Sequence, residues 1–321
     1  MNWSYSAGRT FAGCPRRWFY RAVVAHHAAK DPVRRAAYLL GKQDSLWSWR
    51  GRLVDEVVSG QAVPRLAAGR VPELPELVAA ARTRFGAQLE FARAHRLSDP
   101  GLKPSRHPDF LALGAFEAGT PPTAAALADL WRGVEASLAN FVALTPLLER
   151  LRAARLLLPQ RALAYALALP DGERVTVRAV PDLLAFFRDA PPLIVDWKVS
   201  ARPATAHREQ LVGYALALSK NRGGPGLPPV RAGAAATELL EAQLLAGELR
   251  THPLTDADVR EAEATVRASA AAMRRTLGDR SEGDPDPHTV PPTTDLSRCG
   301  GCPYKPLCWA GEAGPRQTRA G

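Results

Sequence analysis

The sequence predicts an α/β chain of the α+β kind, with a central mixed sheet flanked by helices and a long helical insertion ahead of it. Three observations carry that expectation. "RALAYALALPDGERVTVRAV" alternates apolar and polar residues on both sides of Asp171-Gly172, the strongest short hairpin signal. Two apolar runs, "DLLAFF" and "LIVDWKV", follow it across the turn "RDAPP". The segments before and after carry apolar residues at helical spacing. With 321 residues, 46% of them hydrophobic, the chain suffices for one large domain or a core with a substantial insertion.

Residues 3–29 read as two short helical pieces broken at "GCP", with Pro15 in the first turn of the second, where its missing N–H costs nothing. Residues 33–59 place Leu39, Leu46, Trp49, Leu53 and Val57 on one helical face. "GQAVPRLAAGRVPELP" reads as a Pro/Gly-punctuated connection, and residues 74–97 and 123–157 as helices. The hairpin and the two apolar runs then form a mostly antiparallel meander. Residues 204–219 form a helix packed on it, "KNRGGPGLPP" a loop and "VRAGAAATELL" a further strand. Residues 255–277 are an amphipathic helix opening at Thr255, and "GDRSEGDPDPHTVPPTTD" is a polar linker. Four parts result: 1–58, helical and holding the first cysteine; 59–158, the insertion; 159–278, the core; and 279–321, linker and cysteine motif.

The formal charge is +10, from 42 Lys and Arg against 32 Asp and Glu, which favours polyanionic partners, nucleic acid first. No apolar run approaches the roughly 20 residues that span a bilayer, and the start resembles no signal peptide. The expectation is a cytoplasmic protein with no membrane partner, in which cysteines bind metal rather than form disulfides.

"PDLLAFFRDAPPLIVDWKVS" puts Asp182, Asp196 and Lys198 into otherwise apolar strands. Buried charges need a partner or a metal. Strand alternation sends Leu193, Val195, Trp197 and Val199 to one face and Ile194, Asp196 and Lys198 to the other. Asp182, heading the preceding strand, can stand beside Asp196. Two such carboxylates repel unless one is protonated or a cation joins them, and Mg²⁺ or Mn²⁺ suits oxygen ligands. Lys198 is then placed to orient a water or stabilise phosphate charge, which makes a site for metal-assisted attack on a phosphodiester. Taken alone, "DWK" also fits a surface ion pair.

Cys14, Cys299, Cys302 and Cys308 are the four cysteines, the last three spaced C-x2-C-x5-C. Four thiolates suit a [4Fe–4S] cluster or a zinc ion, and a lone distant Cys14 fits zinc's paired knuckles less well. In "CPRRWFYRAV", Arg16, Arg17 and Arg21 beside Trp18, Phe19 and Tyr20 offer cations and stacking faces for single-stranded nucleic acid. The other reading has the aromatics packed beside the cysteines and the arginines solvated.

Pro181-Asp182, thirteen residues, then Asp196-x-Lys198 closely resembles the PD-(D/E)XK nuclease superfamily. Gln210 and Tyr214 share one helical face, and "QLVGY" resembles the Gln-x-x-x-Tyr motif of its RecB-like branch. There the Gln orients the catalytic centre and the Tyr positions the substrate backbone. That branch carries a metal-binding His in a Gly-containing helical motif. The matching "WRGRLVDEVV" holds Asp55 instead, either an oxygen ligand or a solvent-facing acid. None of the seven histidines falls where the motif needs one, and His207 reads as a surface or cap residue. An N-terminal Cys-Pro with a C-terminal C-x2-C-x5-C is similar to the iron–sulfur exonucleases of the superfamily: CRISPR-associated adaptation nucleases, AddB-type nuclease domains and exonuclease V. The resemblance covers about 1–58 and 159–310.

It implies a restriction-endonuclease-like core whose termini a structural [4Fe–4S] cluster joins. It implies a Mg²⁺- or Mn²⁺-dependent deoxyribonuclease, an exonuclease on single-stranded DNA or DNA ends in repair, recombination or CRISPR adaptation. A helicase or a CRISPR integrase would be its partner. Asp182, Asp196 and Asp55 would hold the metal, with Lys198, Gln210 and Tyr214 completing the centre. The alternative is a catalytically inactive DNA-end-binding subunit of a helicase–nuclease complex. An iron–sulfur electron carrier is a third reading, and it leaves the Pro-Asp and Asp-x-Lys pattern unexplained.

Overall fold

Pro15 breaks the first helical stretch as its chemistry requires. In the computed structural model, which describes residues 1–200, 205–221, 226–229, 233–278 and 285–309, Cys14 is extended between two helices. Its sulfur accepts from the Arg17 N–H at 3.4 Å, capping the second of them. The elements run β1 (Asn2–Trp3), α1 (Tyr5–Gly13), α2 (Pro15–Phe19) and a π-helical turn (Tyr20–Val24). Next come α3 (Pro32–Leu40), β2 (Gln43–Asp44), α4 (Leu46–Val57), a π-helical turn (Val58–Ala62) and α5 (Val63–Ala67). Then follow α6 (Leu74–Ala94), β3 (Ala112–Leu113), α7 (Gly114–Glu117), α8 (Ala124–Ala143) and α9 (Thr145–Arg152). The strands β4 (Leu156–Pro159), β5 (Leu163–Ala168), β6 (Arg174–Ala179), β7 (Leu183–Phe186) and β8 (Leu193–Lys198) lead to α10 (Thr205–Lys220). The remainder is β9 (Glu238–Gln243), β10 (Glu248–His252), α11 (Asp256–Leu277) and α12 (Lys305–Cys308).

The mixed sheet is present, five strands in the order β10-β9-β8-β7-β4, with β8 and β9 parallel. The expected continuous meander is not. The β5–β6 hairpin, with Gly172 at φ +85° in its turn, forms a separate three-stranded sheet with β1. Pro181 separates β6 from β7 and has no N–H to extend a ladder, and β4 takes the β7 edge instead. That strand begins inside the stretch expected to be helix to 157. A leucine run such as Leu156–Leu158 fits a buried strand as well as a helix. The 33–59 stretch is likewise two helices, because α3 gives way at Gly41 and a Ser45–Ser48 capping box restarts the chain as α4. The expected connection after residue 59 is largely helical, with Pro64 tolerated in the first turn of α5. Of the strand expected over 230–240, residues 230–232 lie outside the described residues, 234–236 form a 3₁₀ turn, and β9 begins at Glu238. Parts of the expected loop, linker and tail (222–225, 279–284 and 310–321) also lie outside.

Two cores sandwich the larger sheet. Leu183, Ala185, Leu193, Val195, Trp197, Leu240 and Ala242 face α4, α6, α8 and α9, so the residue 59–158 helices share a core with the sheet. Leu184, Phe186, Ile194 and Leu239 face α10, α11, the hairpin and the aromatics of α2. The alternation expected for β8 is therefore realised: Asp196 and Lys198 lie on the α10 side.

Candidate active site

Asp182 stands at the head of β7 and Asp196 two-thirds of the way along β8. The Trp197 backbone N–H donates to Asp182 Oδ2 at 2.8 Å, which fixes the first carboxylate against the second strand. Asp196 is 1% exposed. Neither of its carboxylate oxygens has an ordinary hydrogen-bond partner, and Oδ2 meets the Lys198 ammonium in a close ion pair. Lys198 Nζ also donates to Gln210 Oε1 at 3.2 Å, and Gln210 Nε2 donates to the Tyr214 hydroxyl. Gln210 and Tyr214, one turn apart on α10, therefore reach the strand through Lys198.

Asp55 reaches the same place from α4. The π-helical turn after that helix swings Ser59 back so that its hydroxyl donates to Asp55 Oδ1 at 3.0 Å. Gln160 links Asp55 to Asp182. Its side-chain amide donates to both Asp55 oxygens at 3.1 Å and to Asp182 Oδ1 at 3.3 Å. Gln160 has φ +50°, a left-handed backbone uncommon for a residue with a side chain, and its N–H donates to the Asp182 carbonyl at 3.0 Å. Strain of this kind persists only where the surroundings enforce it.

The electrostatics follow from crowding. Burial first, then the charges of Asp196 and Asp55, push Asp182 well above the usual carboxylate range. Burial raises Asp196 too, opposed by Lys198 and assisted by Glu241. Asp55 is raised by burial and pulled back by Ser59, Gln160 and Lys198. Glu241 of β9 pairs in register with Asp196, is fully buried, and is held by Gln243, by Arg250 at 3.4 Å and by His252 at 3.2 Å. A buried carboxylate paired with Lys198 and crowded by two further carboxylates suits a hard cation, which would relieve their repulsion. Among the described residues, no group of three or more His, Cys, Asp or Glu side chains stands arranged to hold a metal ion.

The structure thus brings together Asp55, Asp182, Asp196, Lys198, Gln210 and Tyr214. Sequence reasoning missed Gln160, whose neutral side chain and place after an unrecognised strand gave no signal. It also missed Glu241 and Gln243, because the strand was ended at Leu240. His207 is buried in the first turns of α10 rather than on the surface.

The four cysteines lie elsewhere. Cys14, Cys299, Cys302 and Cys308 all line one cavity of about 400 Å³, with Arg9, Arg17, Arg298 and Lys305 around it. Burial, reinforced by neighbouring cysteines, raises the thiols of Cys299 and Cys302. Arg16 is not offered to a nucleic acid. It is buried, and its guanidinium donates to the carbonyls of Val290 at 2.8 Å and His288 at 3.4 Å and to Cys308 Sγ at 3.7 Å. Trp18, Phe19 and Tyr20 are buried in the core, so they offer no stacking face either. Arg17 lines the cysteine cavity, and Arg21 is exposed.

No helix among the described residues is long and apolar enough to cross a membrane. No curated protein matches the chain. A solved structure described as "Crystal structure of SSO0001" is similar over 71% of this chain and 94% of its own, at 12% identity and a TM-score of 0.32. The family model of the PD-(D/E)XK nuclease superfamily matches residues 2–309, and the chain belongs to that superfamily.

Proposed function

We propose that the protein is a Mg²⁺- or Mn²⁺-dependent deoxyribonuclease, an exonuclease acting on single-stranded DNA or DNA ends in repair, recombination or CRISPR adaptation. The observation that carries this reading is the Asp196 carboxylate, buried, ion-paired with Lys198 and crowded by Asp182. Asp182, Asp196 and Asp55 would hold the divalent cation, which would lower the pKa of a water and shield phosphate charge. The chain's own groups do the rest. Lys198 sets a positive charge beside Asp196 where a phosphate oxygen or an attacking water is received. Gln210 fixes the Lys198 ammonium, and Tyr214 fixes Gln210. Burial, then the Asp196 charge, pushes the Tyr214 phenol up, so it stays a protonated donor toward a substrate backbone.

The four cysteines are proposed to hold a [4Fe–4S] cluster that fastens residues near position 14 to the segment 299–308. Their convergence on one cavity supports this, and the four basic side chains around it suit an anionic cluster. DNA is the proposed substrate and partner, with a helicase or CRISPR integrase as the protein partner.

The test is incubation of anaerobically purified protein with end-labelled single-stranded DNA in Mg²⁺, in Mn²⁺ and in chelator, beside Asp196→Ala. Metal-dependent shortening by the wild type alone supports the reading, and the product ladder gives polarity. Binding without cleavage in every metal overturns it in favour of a non-catalytic end-binding subunit.

A further inference from the structure

Trp47 is the most exposed large apolar side chain among the described residues, at 68%. Its exposure is not that of a loose loop. It occupies the first turn of α4, where Ser48 N–H donates to Ser45 Oγ at 3.1 Å and Ser45 N–H donates to Ser48 Oγ at 2.9 Å. That reciprocal cap fixes the helix start. Beneath the indole lies Arg50, with its guanidinium carbon 4.6 Å from the ring centroid. Arg50 is itself buried, and its Nη2 donates to the Val199 carbonyl at 2.9 Å, one residue beyond Lys198. The side chain threads past Gly133 of α8, where a Cβ would stand 2.8 Å from Arg50 Cδ. Burying an arginine is costly, and this one braces an exposed ring against the end of the strand that carries Asp196 and Lys198.

The same helix leads from the ring to the carboxylates. Trp47, Gly51 and Asp55 follow at intervals of four, on one side of α4. They span about 12 Å along the axis, or about three stacked base steps. Nothing lies within 4 Å of the position a Gly51 Cβ would take, so the helix surface between ring and carboxylate is open. We propose that Trp47, stiffened by Arg50, is a stacking platform for an unpaired nucleobase of the strand whose backbone enters the site at Asp55. The proposal rests on the nuclease reading and sharpens its substrate class. A base inside a duplex already has both faces stacked, whereas a single-stranded or frayed end has one to offer. The excess of positive charge on the chain suits the same polyanion.

The experiment uses the full chain carrying Asp196→Ala, so that DNA is held and not consumed. A fluorescein-labelled single-stranded oligonucleotide is titrated against it, and then the same sequence as a blunt duplex. Base–aromatic stacking predicts that adding Trp47→Ala weakens single-strand binding by roughly 5- to 100-fold, with much less effect on the duplex. Trp47→Phe keeps most of the affinity, since an aromatic face remains. Tryptophan emission gives a second readout. Five of the seven indoles are 6% exposed or less and Trp309 is 39% exposed, so quenching by bound single strand is expected to fall sharply in Trp47→Ala.

Equal single-strand affinity and quenching in Trp47→Ala and its parent, with the wild type still cleaving, overturns the platform and leaves the nuclease intact. A wild type that neither binds nor cleaves any DNA overturns the nuclease reading and the platform with it. An equal loss on single strand and duplex, unrelieved by Trp47→Phe, overturns the platform in favour of a general disturbance of α4.

Discussion

The carboxylate site and the cysteine cavity both gather residues far apart in sequence, but the protein holds them by different means. At the first, the polypeptide supplies its own fastening. Trp197 N–H and Gln160 fix Asp182, Ser59 and Gln160 fix Asp55, and Lys198 meets Asp196. At the second, the contacts to sulfur are longer and weaker, from the Arg17 N–H to Cys14 and the Arg16 guanidinium to Cys308. Tyr304 N–H and Trp309 add contacts of the same kind to Cys302 and Cys299. The lesson is that the first site is organised by the fold, while the second, on the proposed reading, would help to organise it once a cluster is bound.

The largest effect should come from breaking the first without touching the second. Lys198→Ala or Asp182→Ala is expected to lower DNA cleavage by about a thousandfold or more, as removal of one member of a catalytic unit does. Circular dichroism and bound iron should be unchanged. Undiminished cleavage by both variants would remove these residues from the chemistry.

Breaking the second region should do the reverse. Cys14→Ser is expected to lose iron and visible absorbance and to destabilise the fold by several kcal/mol, because ligation energy is folding energy. The measurements are iron content and thermal unfolding under anaerobic conditions. Full stability with no iron would make the cavity dispensable.

Gln160 sharpens the comparison at smaller scale. Gln160→Gly keeps the left-handed backbone without steric cost and deletes the bridging amide, so cleavage should fall about tenfold at near-normal stability. Gln160→Val, β-branched at positive φ, should in addition lose about 1–2 kcal/mol, read from urea unfolding.

The smallest effect concerns protons. Asp182, Asp196 and Asp55 have raised folded-state pKa values. Between its unfolded and folded pKa such a group binds more protons when folded, so stability falls as pH rises through that window. Metal-free protein should therefore lose stability as pH climbs from about 4, the ordinary carboxylate value, through those raised values. Mn²⁺ should restore what is lost. Asp182→Asn should raise the metal-free Tm by about 2 °C or more at neutral pH, and a lower Tm would show that repulsion is not what Asp182 contributes.

Much of this was legible in the sequence where chemistry and period coincide. Alternation in "LIVDWKV" put Asp196 and Lys198 on one face, and the four-residue step from Gln210 to Tyr214 put both on one side of α10. Asp171-Gly172 announced its hairpin. The pairing of that hairpin was not legible, because which strand fills the β7 edge is decided by tertiary packing and not by local pattern. Leu156–Leu158 carries no period to tell strand from helix. Arg16 misled for a related reason: a cation beside aromatics looks the same in sequence whether it meets solvent or a set of buried carbonyls.

Arg16 and Cys308 touch although they are 292 positions apart. A ribosome adding about 5–20 residues each second needs roughly 15–60 s to separate their emergence. Throughout that interval the α2 arginine lacks its contacts to Val290, His288 and Cys308, so this corner of the protein closes late in synthesis. A nascent chain stalled before position 299 would carry a complete carboxylate site with Cys14 still open to oxidants.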